Sequence, residues 1–444
     1  MQHALGNTLY AVRSTLDVSR LTFYVWTIGC QMNQADSRRV AAELEHLGYR
    51  PAAHLEEAGL IVLNTCVVRQ SAEDKALGRL GSLRSLKKRR PWARIVLMGC
   101  LVGDVEALRA RFPYVDLFVR PSDVEGLVRW VRQVLPSPQP SPCEGEGDRE
   151  QKPVPVSAEI TAMMGCDRHC TYCIVRLRRG PARSRTVEEI VAEAESLLRA
   201  GAREIVLLGQ NIDVYGRDLP ERASLATLLR RVHDLPGLLR LRFLTSHPAD
   251  LEDEVIDTLT GLPKACAHWE LPVQAGDDEV LRRMGRGHTA AAYLALVQRI
   301  RARLPQASIA TDVIVGFPGE TEEQFARTLD LLRAVRFDAV HVACYSVRPG
   351  TPAARLPDDV PPEEKERRRR AVEDLQEEIV GEINARLLDQ DVEVLVEEKH
   401  KGKWKGRTTS NKLVFFEHPA DWRGRLATVR ITKTGPWSLQ GELH

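Results

Sequence analysis

No stretch of this chain has enough consecutive apolar residues to cross a bilayer, and its first twenty residues lack the apolar segment of a secretory leader. The expectation is a cytoplasmic protein with no membrane partner. An excess of charge of one sign is also missing: 63 Lys and Arg stand against 61 Asp and Glu, a formal net charge of +2. That balance predicts no general affinity for polyanions, so a nucleic-acid surface has to be a local patch. Cysteine is sparse, nine in 444 residues, too few for a disulfide scaffold. In a reducing compartment, closely spaced cysteines point instead to metal or redox chemistry. No internal repeat is visible.

What is present describes an ordinary globular composition, 43% hydrophobic and 28% charged, in a chain long enough for two or three domains. Between Thr22 and Val134, short apolar runs (Thr22 to Thr27, Leu60 to Asn64, Arg94 to Met98, Asp116 to Val119) alternate with helical stretches near 34–48, 71–90 and 123–134. This predicts an α/β domain over 21–135 with a Rossmann-like parallel sheet. The proline, glycine and charge of Pro136 to Gly147 cannot build a packed core, so 136–152 is read as a flexible linker in which Cys143 is incidental.

From Val156 to about Val347, six candidate strands near 156–163, 204–208, 240–245, 267–273, 308–315 and 339–345 alternate with helices. Six such units suggest a partial (β/α)6 TIM-like barrel. Val372, Leu375, Ile379, Ile383 and Leu387 recur at helical spacing, making 363–388 a connecting helix that completes a domain of 153–388. Its Arg367 to Arg370 run is read as a solvated face rather than an RNA site. Residues 389–444 alternate β-rich runs with turns, as a small all-β barrel would.

The most informative motif is Cys166-Asp167-Arg168-His169-Cys170-Thr171-Tyr172-Cys173. Thiolate is the ligand of iron-sulfur clusters, and a 4Fe-4S cube held by three of them keeps one iron open. The loop follows an apolar run, Val156 to Met164, which places it at a strand's carboxyl end. The alternatives are a zinc knuckle, which would want a fourth ligand close by, and a chance group of buried cysteines. Cys30, Cys66 and Cys100 lie about 35 residues apart, each following one of the first three expected strands. In a parallel sheet such loops converge on one crevice. Placement alone leaves open whether these three meet there or are separate structural cysteines. Cys266 and Cys344 lie in apolar strand contexts and read as core.

At Cys166 to Cys173, with Tyr172 before the last cysteine, the chain resembles the radical S-adenosylmethionine superfamily. Cys30-Gln31-Met32-Asn33, Asn64-Thr65-Cys66-Val67-Val68-Arg69, Met98-Gly99-Cys100, Gly209-Gln210-Asn211, Leu271-Pro272-Val273-Gln274 and Gly316-Phe317-Pro318 extend the likeness from about Leu21 to the C-terminus. In these segments it resembles the methylthiotransferase family. Asp36-Ser37 after the first motif is most similar to the branch acting on N6-isopentenyladenosine at position 37 of tRNA. The resemblance implies two 4Fe-4S clusters, one on Cys30, Cys66 and Cys100 and one on Cys166, Cys170 and Cys173, with S-adenosylmethionine as cofactor. It further implies that the barrel cluster reduces the sulfonium to give a 5′-deoxyadenosyl radical, while the other cluster delivers a methylated sulfur to carbon 2 of the base. Cofactor contacts are expected at strand carboxyl ends, from Tyr172, Gln210, Asn211, Ser246, Gln274, Asp312 and Gly316.

The C-terminal segment resembles a TRAM domain. Lys399, Lys401, Lys403, Lys405, Arg407 and Lys412 alternate with Trp404, and Phe415, Phe416, Trp422 and Trp437 follow. Cations meet phosphates and bases stack on aromatics, which points to a tRNA anticodon stem-loop, with Arg84, Lys87, Lys88, Arg89 and Arg90 extending the track. An electron donor such as flavodoxin or ferredoxin and a sulfur donor are implied as further partners of a monomer. Alternatives are the family branches for threonylcarbamoyladenosine 37 or a ribosomal-protein aspartate, and, outside the family, a non-catalytic RNA-binding protein with structural metal sites. Arg176 and Leu177 stand where the family has Pro and an aromatic, Glu270 where it has His, Ala275-Gly276-Asp277 where it has Ser-Gly-Ser, and Val347 where Pro is common. All flank the expected active mouth and bear on substrate identity.

Overall fold

The computed structural model describes residues 21–67, 70–135 and 154–444. The linker expected at 136–152, with Cys143, lies outside the described residues, as do the first twenty. The chain divides into two compact units, Met1–Arg149 and Glu150–His444.

In the first unit the elements run β1 (Thr22–Thr27), α1 (Gln31–His46), β2 (Arg50–Pro51), β3 (Leu60–Thr65), α2 (Gln70–Arg89) and β4 (Arg94–Gly99). Then follow α3 (Val105–Arg111), β5 (Leu117–Val119) and α4 (Val124–Val134). All five strands are parallel, in the order β2-β1-β3-β4-β5. β3 and β4 are continuous apolar runs because helices cover both sides of a parallel sheet. Leu60, Val62, Val96 and Met98 pack with Val40 and Leu44 of α1 and Leu127 and Val131 of α4. Periodicity does not reveal β2 or α3. β2 is a two-residue edge where Pro51 is tolerated because no further strand needs its missing N–H.

The second unit begins with β6 (Ser157–Thr161), β7 (Met163–Met164), α5 (Val175–Arg179), β8 (Arg183–Ser184) and α6 (Val187–Arg199). It continues with β9 (Glu204–Leu208), α7 (Leu225–His233), β10 (Arg240–Leu244), α8 (Asp253–Thr260), β11 (His268–Glu270), α9 (Asp278–Met284) and α10 (Ala290–Arg303). β12 (Ser308–Val315), α11 (Glu322–Val335), β13 (Ala339–Cys344) and α12 (Pro362–Ala385) complete the large domain. Strands β6-β9-β10 and β11-β12-β13 form two parallel three-stranded sheets, joined by a bridge between Leu241 and Ala265. That is the expected six-stranded partial barrel, filled by Ile160, Leu207, Leu241, Phe243, Trp269, Ile309 and Val313. β11 is shorter than its apolar run suggests. Pro272 has no N–H to offer the ladder, so the regular strand ends at Glu270 and the chain rejoins β12 only through an isolated bridge at Gln274, which adopts φ +77°.

The last five strands, β14 (Asp391–His400), β15 (Lys403–Arg407), β16 (Leu413–Phe416), β17 (Leu426–Thr434) and β18 (Leu439–Leu443), close into a small barrel. Its docking residues lie at or near the amino ends of the large barrel's strands. Arg240 donates to the carbonyls of Arg407 and Glu393 and pairs with the Glu393 carboxylate. Ser308 donates to the Ser410 carbonyl at 2.9 Å, and Lys412 pairs with Asp338 at 2.7 Å. Beneath this seam, Arg242 and Glu204 form an ion pair at 3.2 Å with both side chains almost wholly buried.

Removing one partner of such a pair strands the other charge, so Arg242→Ala should destabilise this unit by about 3–5 kcal/mol. Replacing both residues by apolar ones should recover much of the loss, as read from chemical denaturation midpoints.

Candidate functional sites: two cysteine triads and a basic hairpin

In the first unit, Cys30 precedes α1 while Cys66 and Cys100 follow β3 and β4 directly. β1, β3 and β4 are neighbours in the sheet, so the three loops share one carboxyl-end crevice. Two glycines permit the approach. A Cβ on Gly29 (φ +142°) would lie 2.5 Å from the Cys66 Cβ, and one on Gly99 (φ +103°) would lie 2.2 Å from the Thr65 carbonyl oxygen. A buried amide pair then locks the loops. Asn33 Nδ2 donates to Asn64 Oδ1 (2.9 Å) and to the Thr65 carbonyl (3.0 Å), and Asn64 Nδ2 donates back to the Asn33 carbonyl (2.8 Å). The Cys30 thiol donates to Asn33 Oδ1 at 3.3 Å, while the Cys100 N–H is held by the Thr65 carbonyl at 2.8 Å. Cys66 bonds to both Cys100 and Cys30, and these thiols together with burial push its pKa up.

In the second unit, the Cys166–Cys173 loop leaves β6 through the β7/β8 pairing, at the carboxyl end of the barrel. The Cys166 N–H bonds to the Gly180 carbonyl, and Thr171 ties the loop to the end of α9 through Met284 and Arg283. Arg168 pairs with Asp250, which also accepts from Asn211 Nδ2 at 2.7 Å. Burial pushes the Cys173 thiol up to about 12 and raises Cys166 as well. Arg286, 4% exposed, points one guanidinium nitrogen at Cys170 Sγ, 3.5 Å away.

The expected cofactor residues sit around this loop in different states. Gln210 Oε1, Asn211 Oδ1 and Gln274 Oε1 are buried without a partner, as are His247 Nε2 and both ring nitrogens of His288. Orphaned buried acceptors are costly, so their gathering at one mouth fits a polar ligand. Thr245 and Gln274 adopt φ +75° and +77° at the carboxyl ends of β10 and β11, strain of the kind found at binding sites. Ser246 is already engaged, donating to Asp213 Oδ1 at 2.9 Å, and burial lifts Asp213 to about 7. Tyr172 packs beside Met284 and Phe317, with Asp312 among the charges acting on it. The Gly316 N–H donates to Glu320 Oε2 at 2.6 Å, and a Cβ there would meet Lys365 Cγ at 2.3 Å. That glycine is thus required by the chain's own lysine.

Arg286, His247, His288 and the Arg168–Asp250 pair were not singled out from the sequence, where nothing in their spacing marks them. Burial lowers His247 to about 2 and His288 to about 4, with the Arg286 charge the next cause for each, so both imidazoles stay neutral. Among the described residues, no three His, Cys, Asp or Glu side chains are grouped so as to hold a single metal ion. A cube asks for something else, since each thiolate binds a different iron.

The basic hairpin differs from its expected reading. Trp404 is core, 6% exposed, with its indole N–H donating to the His418 and Ala420 carbonyls, so it offers no face to a base. Strand alternation turns it inward, a signal that the intervening lysines hid. Lys403, Lys405 and Arg407 pair with Glu417, Glu398 and Glu397. Lys399 and Lys401 remain exposed, and Trp437 is 64% exposed on a loop held by Asn384 through the carbonyls of Gly435 and Pro436. Arg367, Arg369 and Arg370 pair with carboxylates of α11 and α12 as a solvated face would, whereas Arg368 is buried and pairs with the buried Glu320 at 3.0 Å, against the expected reading of the whole run. In α2, Lys87 is taken by Asp116, and just beyond the helix Arg90 stacks on Trp92. Arg176 folds back onto the Asp167 carbonyl and His169, whereas Leu177 is 57% exposed.

Residues 160–332 match the Radical SAM superfamily, residues 22–120 the Uncharacterized protein family UPF0004, and residues 386–444 the TRAM domain. The chain is 50% identical over 428 residues to the tRNA-2-methylthio-N(6)-dimethylallyladenosine synthase of Roseiflexus sp. (strain RS-1), covering 95% of this chain and 89% of the relative. It is 51% identical over 426 residues to the protein of that name from Chloroflexus aurantiacus, covering 94% and 91%. Among solved structures, the radical S-adenosylmethionine methyltransferase TsrM of Kitasatospora setae superposes with a TM-score of 0.56 at 16% identity, covering 76% of this chain and 75% of that one. That likeness is one of fold.

The amide lock makes a separable prediction. Asn33→Ala frees the Cys30 loop, whereas the Cys100 N–H stays bonded to the Thr65 carbonyl beside Cys66. Mild oxidation of metal-free protein with peptide mapping should then show Cys66 joined to Cys30 several-fold less than in the parent, with the Cys66–Cys100 product unchanged. Equal yields of both would contradict the lock.

Proposed function

This chain belongs to the tRNA-2-methylthio-N(6)-dimethylallyladenosine synthase family, and from that premise we infer that it is a radical S-adenosylmethionine enzyme placing a methylthio group on carbon 2 of N6-dimethylallyladenosine at position 37 of tRNA. The observation that carries the reading is the pair of cysteine triads at parallel-strand carboxyl ends, each one thiolate short of a closed four-ligand site.

Cys166, Cys170 and Cys173 would hold one 4Fe-4S cluster and Cys30, Cys66 and Cys100 the other. When bound, these groups supply one-electron reduction of S-adenosylmethionine to a hydrogen-abstracting radical, and the sulfur to be transferred. The chain's own residues supply placement. Gln210, Asn211 and Gln274 would turn their unpartnered carbonyl oxygens to the cofactor's N–H and O–H groups, while Tyr172, Ser246, Asp312 and Gly316 shape the surrounding wall. Neutral His247 and His288 add no competing positive charge beside the sulfonium.

The proposed division of the chain is 21–135 for the first cluster, 136–152 as linker, 153–388 for the barrel with its connecting helix, and 389–444 for RNA binding. The anticodon stem-loop would meet Lys399, Lys401 and Trp437. A flavodoxin or ferredoxin would supply electrons and a separate donor sulfur to a monomeric, cytoplasmic enzyme. No helix among the described residues is long and apolar enough to cross a membrane.

Expression in a strain lacking its own enzyme should restore the methylthio nucleoside, measured by mass spectrometry of digested tRNA. Accumulation of the unmodified dimethylallyladenosine would contradict the assignment. The triple variant Cys30→Ala, Cys66→Ala, Cys100→Ala should still release 5′-deoxyadenosine while making no methylthio product; thiomethylation at the parent level would refute the division between the triads.

For the RNA surface, Trp437→Ala should weaken tRNA binding by about 1–3 kcal/mol with little change in its salt dependence. Replacing Lys399 and Lys401 by Gln should instead reduce the salt slope by up to about two. Filter-binding titrations across a salt series separate the two effects.

A further inference from the structure

We propose that Arg286 is the fixed counter-charge of the barrel cluster, gripping the Cys170 sulfur and setting how readily that cluster accepts an electron. The inference rests on the cluster assignment of Cys166, Cys170 and Cys173 given above.

Its basis is an uncompensated buried cation. Arg286 donates to Cys170 Sγ at 3.5 Å and to the Pro272 carbonyl at 2.6 Å, and its Nε has no partner. No carboxylate among the described residues forms an ion pair with it. Arginine does not lose its proton in proteins, and a buried charge persists only beside an opposite one. The neighbouring cation shows the contrast, since Arg168 is neutralised by Asp250. His247 and His288 are kept neutral by burial and by Arg286 itself. The anion that Arg286 lacks would therefore be supplied by the thiolates of the loop it touches once the cluster is bound.

Local structure fixes this aim. Helix α9 ends at Gly285, which takes the left-handed conformation (φ +69°), and the Arg286 N–H reaches back to the Leu281 carbonyl at 3.0 Å. A Cβ on Gly285 would meet the His169 carbonyl at 2.9 Å, so the helix end and the cysteine loop are packed together there. The guanidinium is positioned by a turn that no larger residue would leave intact.

A cluster gains negative charge when it takes one electron from its low-potential protein donor, and hydrogen bonds or positive charge at its sulfurs favour that form. Arg286 acts through the cluster, as a positioning and electrostatic residue. The test uses full-length reconstituted protein carrying Cys30→Ala, Cys66→Ala and Cys100→Ala, so that the barrel cluster alone gives the paramagnetic resonance signal in a redox titration. Arg286→Gln should keep its iron but show at least a tenfold lower ratio of reduced to oxidised cluster at fixed poise, equivalent to a midpoint about 59 mV more negative for a one-electron couple. Arg286→Lys, which keeps the charge without the planar fork, should fall between. An iron-loaded Gln variant with the parental midpoint would overturn the proposal. If Gln fails to retain iron, Arg286→Lys against Arg286→Met decides it, and coincident midpoints would again overturn it. A parent with no cluster signal would sink the loop assignment itself and the inference with it.

Discussion

Thiolates crowded at the ends of parallel strands repel one another, and everything distinctive about this molecule follows from how that repulsion is held in check. Cys66 is pushed up first by its two thiol neighbours and then by burial, and Cys173 by burial, so both hold their protons. Metal capture at the two proposed sites would have to displace those protons. The folds oppose the repulsion differently. In the first unit a network of amides and close-approach glycines forces three thiols together. In the second, a short loop does so with a buried guanidinium beside it.

Both arrangements sit on frames whose stability comes from elsewhere. The apolar strands β3 and β4 and the packed interior around Trp269 leave the loops at the strand ends free to carry strained and unsatisfied groups. The orphaned carbonyl oxygens of Gln210, Asn211 and Gln274 and the left-handed Thr245 and Gln274 are costs that a ligand would relieve. The small C-terminal barrel docks toward the amino ends of the large barrel's strands, away from this mouth, through Arg240, Ser308 and Lys412. An RNA gripped by its exposed cations and Trp437 would have to extend past the docking seam to present a base at the other end.

Much of this was legible in the chain. The alternation of apolar runs and helical stretches reveals the parallel sheets of both units, because fully covered strands leave long apolar runs and strand length is set by turns that glycine and proline announce. The Cys166–Cys173 loop is local and so is its signal. Cys30, Cys66 and Cys100 each follow an expected strand, but that placement alone leaves their meeting open, and it is the resemblance of their flanking motifs that groups them. What could not be read are contacts that depend on side chains meeting across distant segments. Asn33 and Asn64 stand in the quoted motifs, but their mutual lock is visible only when α1 meets β3. Arg286 follows a helix with no periodic cue at all. Trp404 was misread for a physical reason: alternating lysines suggest an open edge, whereas in a closed barrel the same alternation sends the intervening indole into the core.

The account stands or falls on two separate cubes in one chain. Iron analysis with Mössbauer spectroscopy of the anaerobically reconstituted protein should give about eight irons per chain, all in cuboidal 4Fe-4S environments. Loss of about half with Cys166, Cys170 and Cys173 replaced, and of the other half with Cys30, Cys66 and Cys100 replaced, is the predicted result. About four irons in the parent, or zinc in place of iron at either triad, would contradict it.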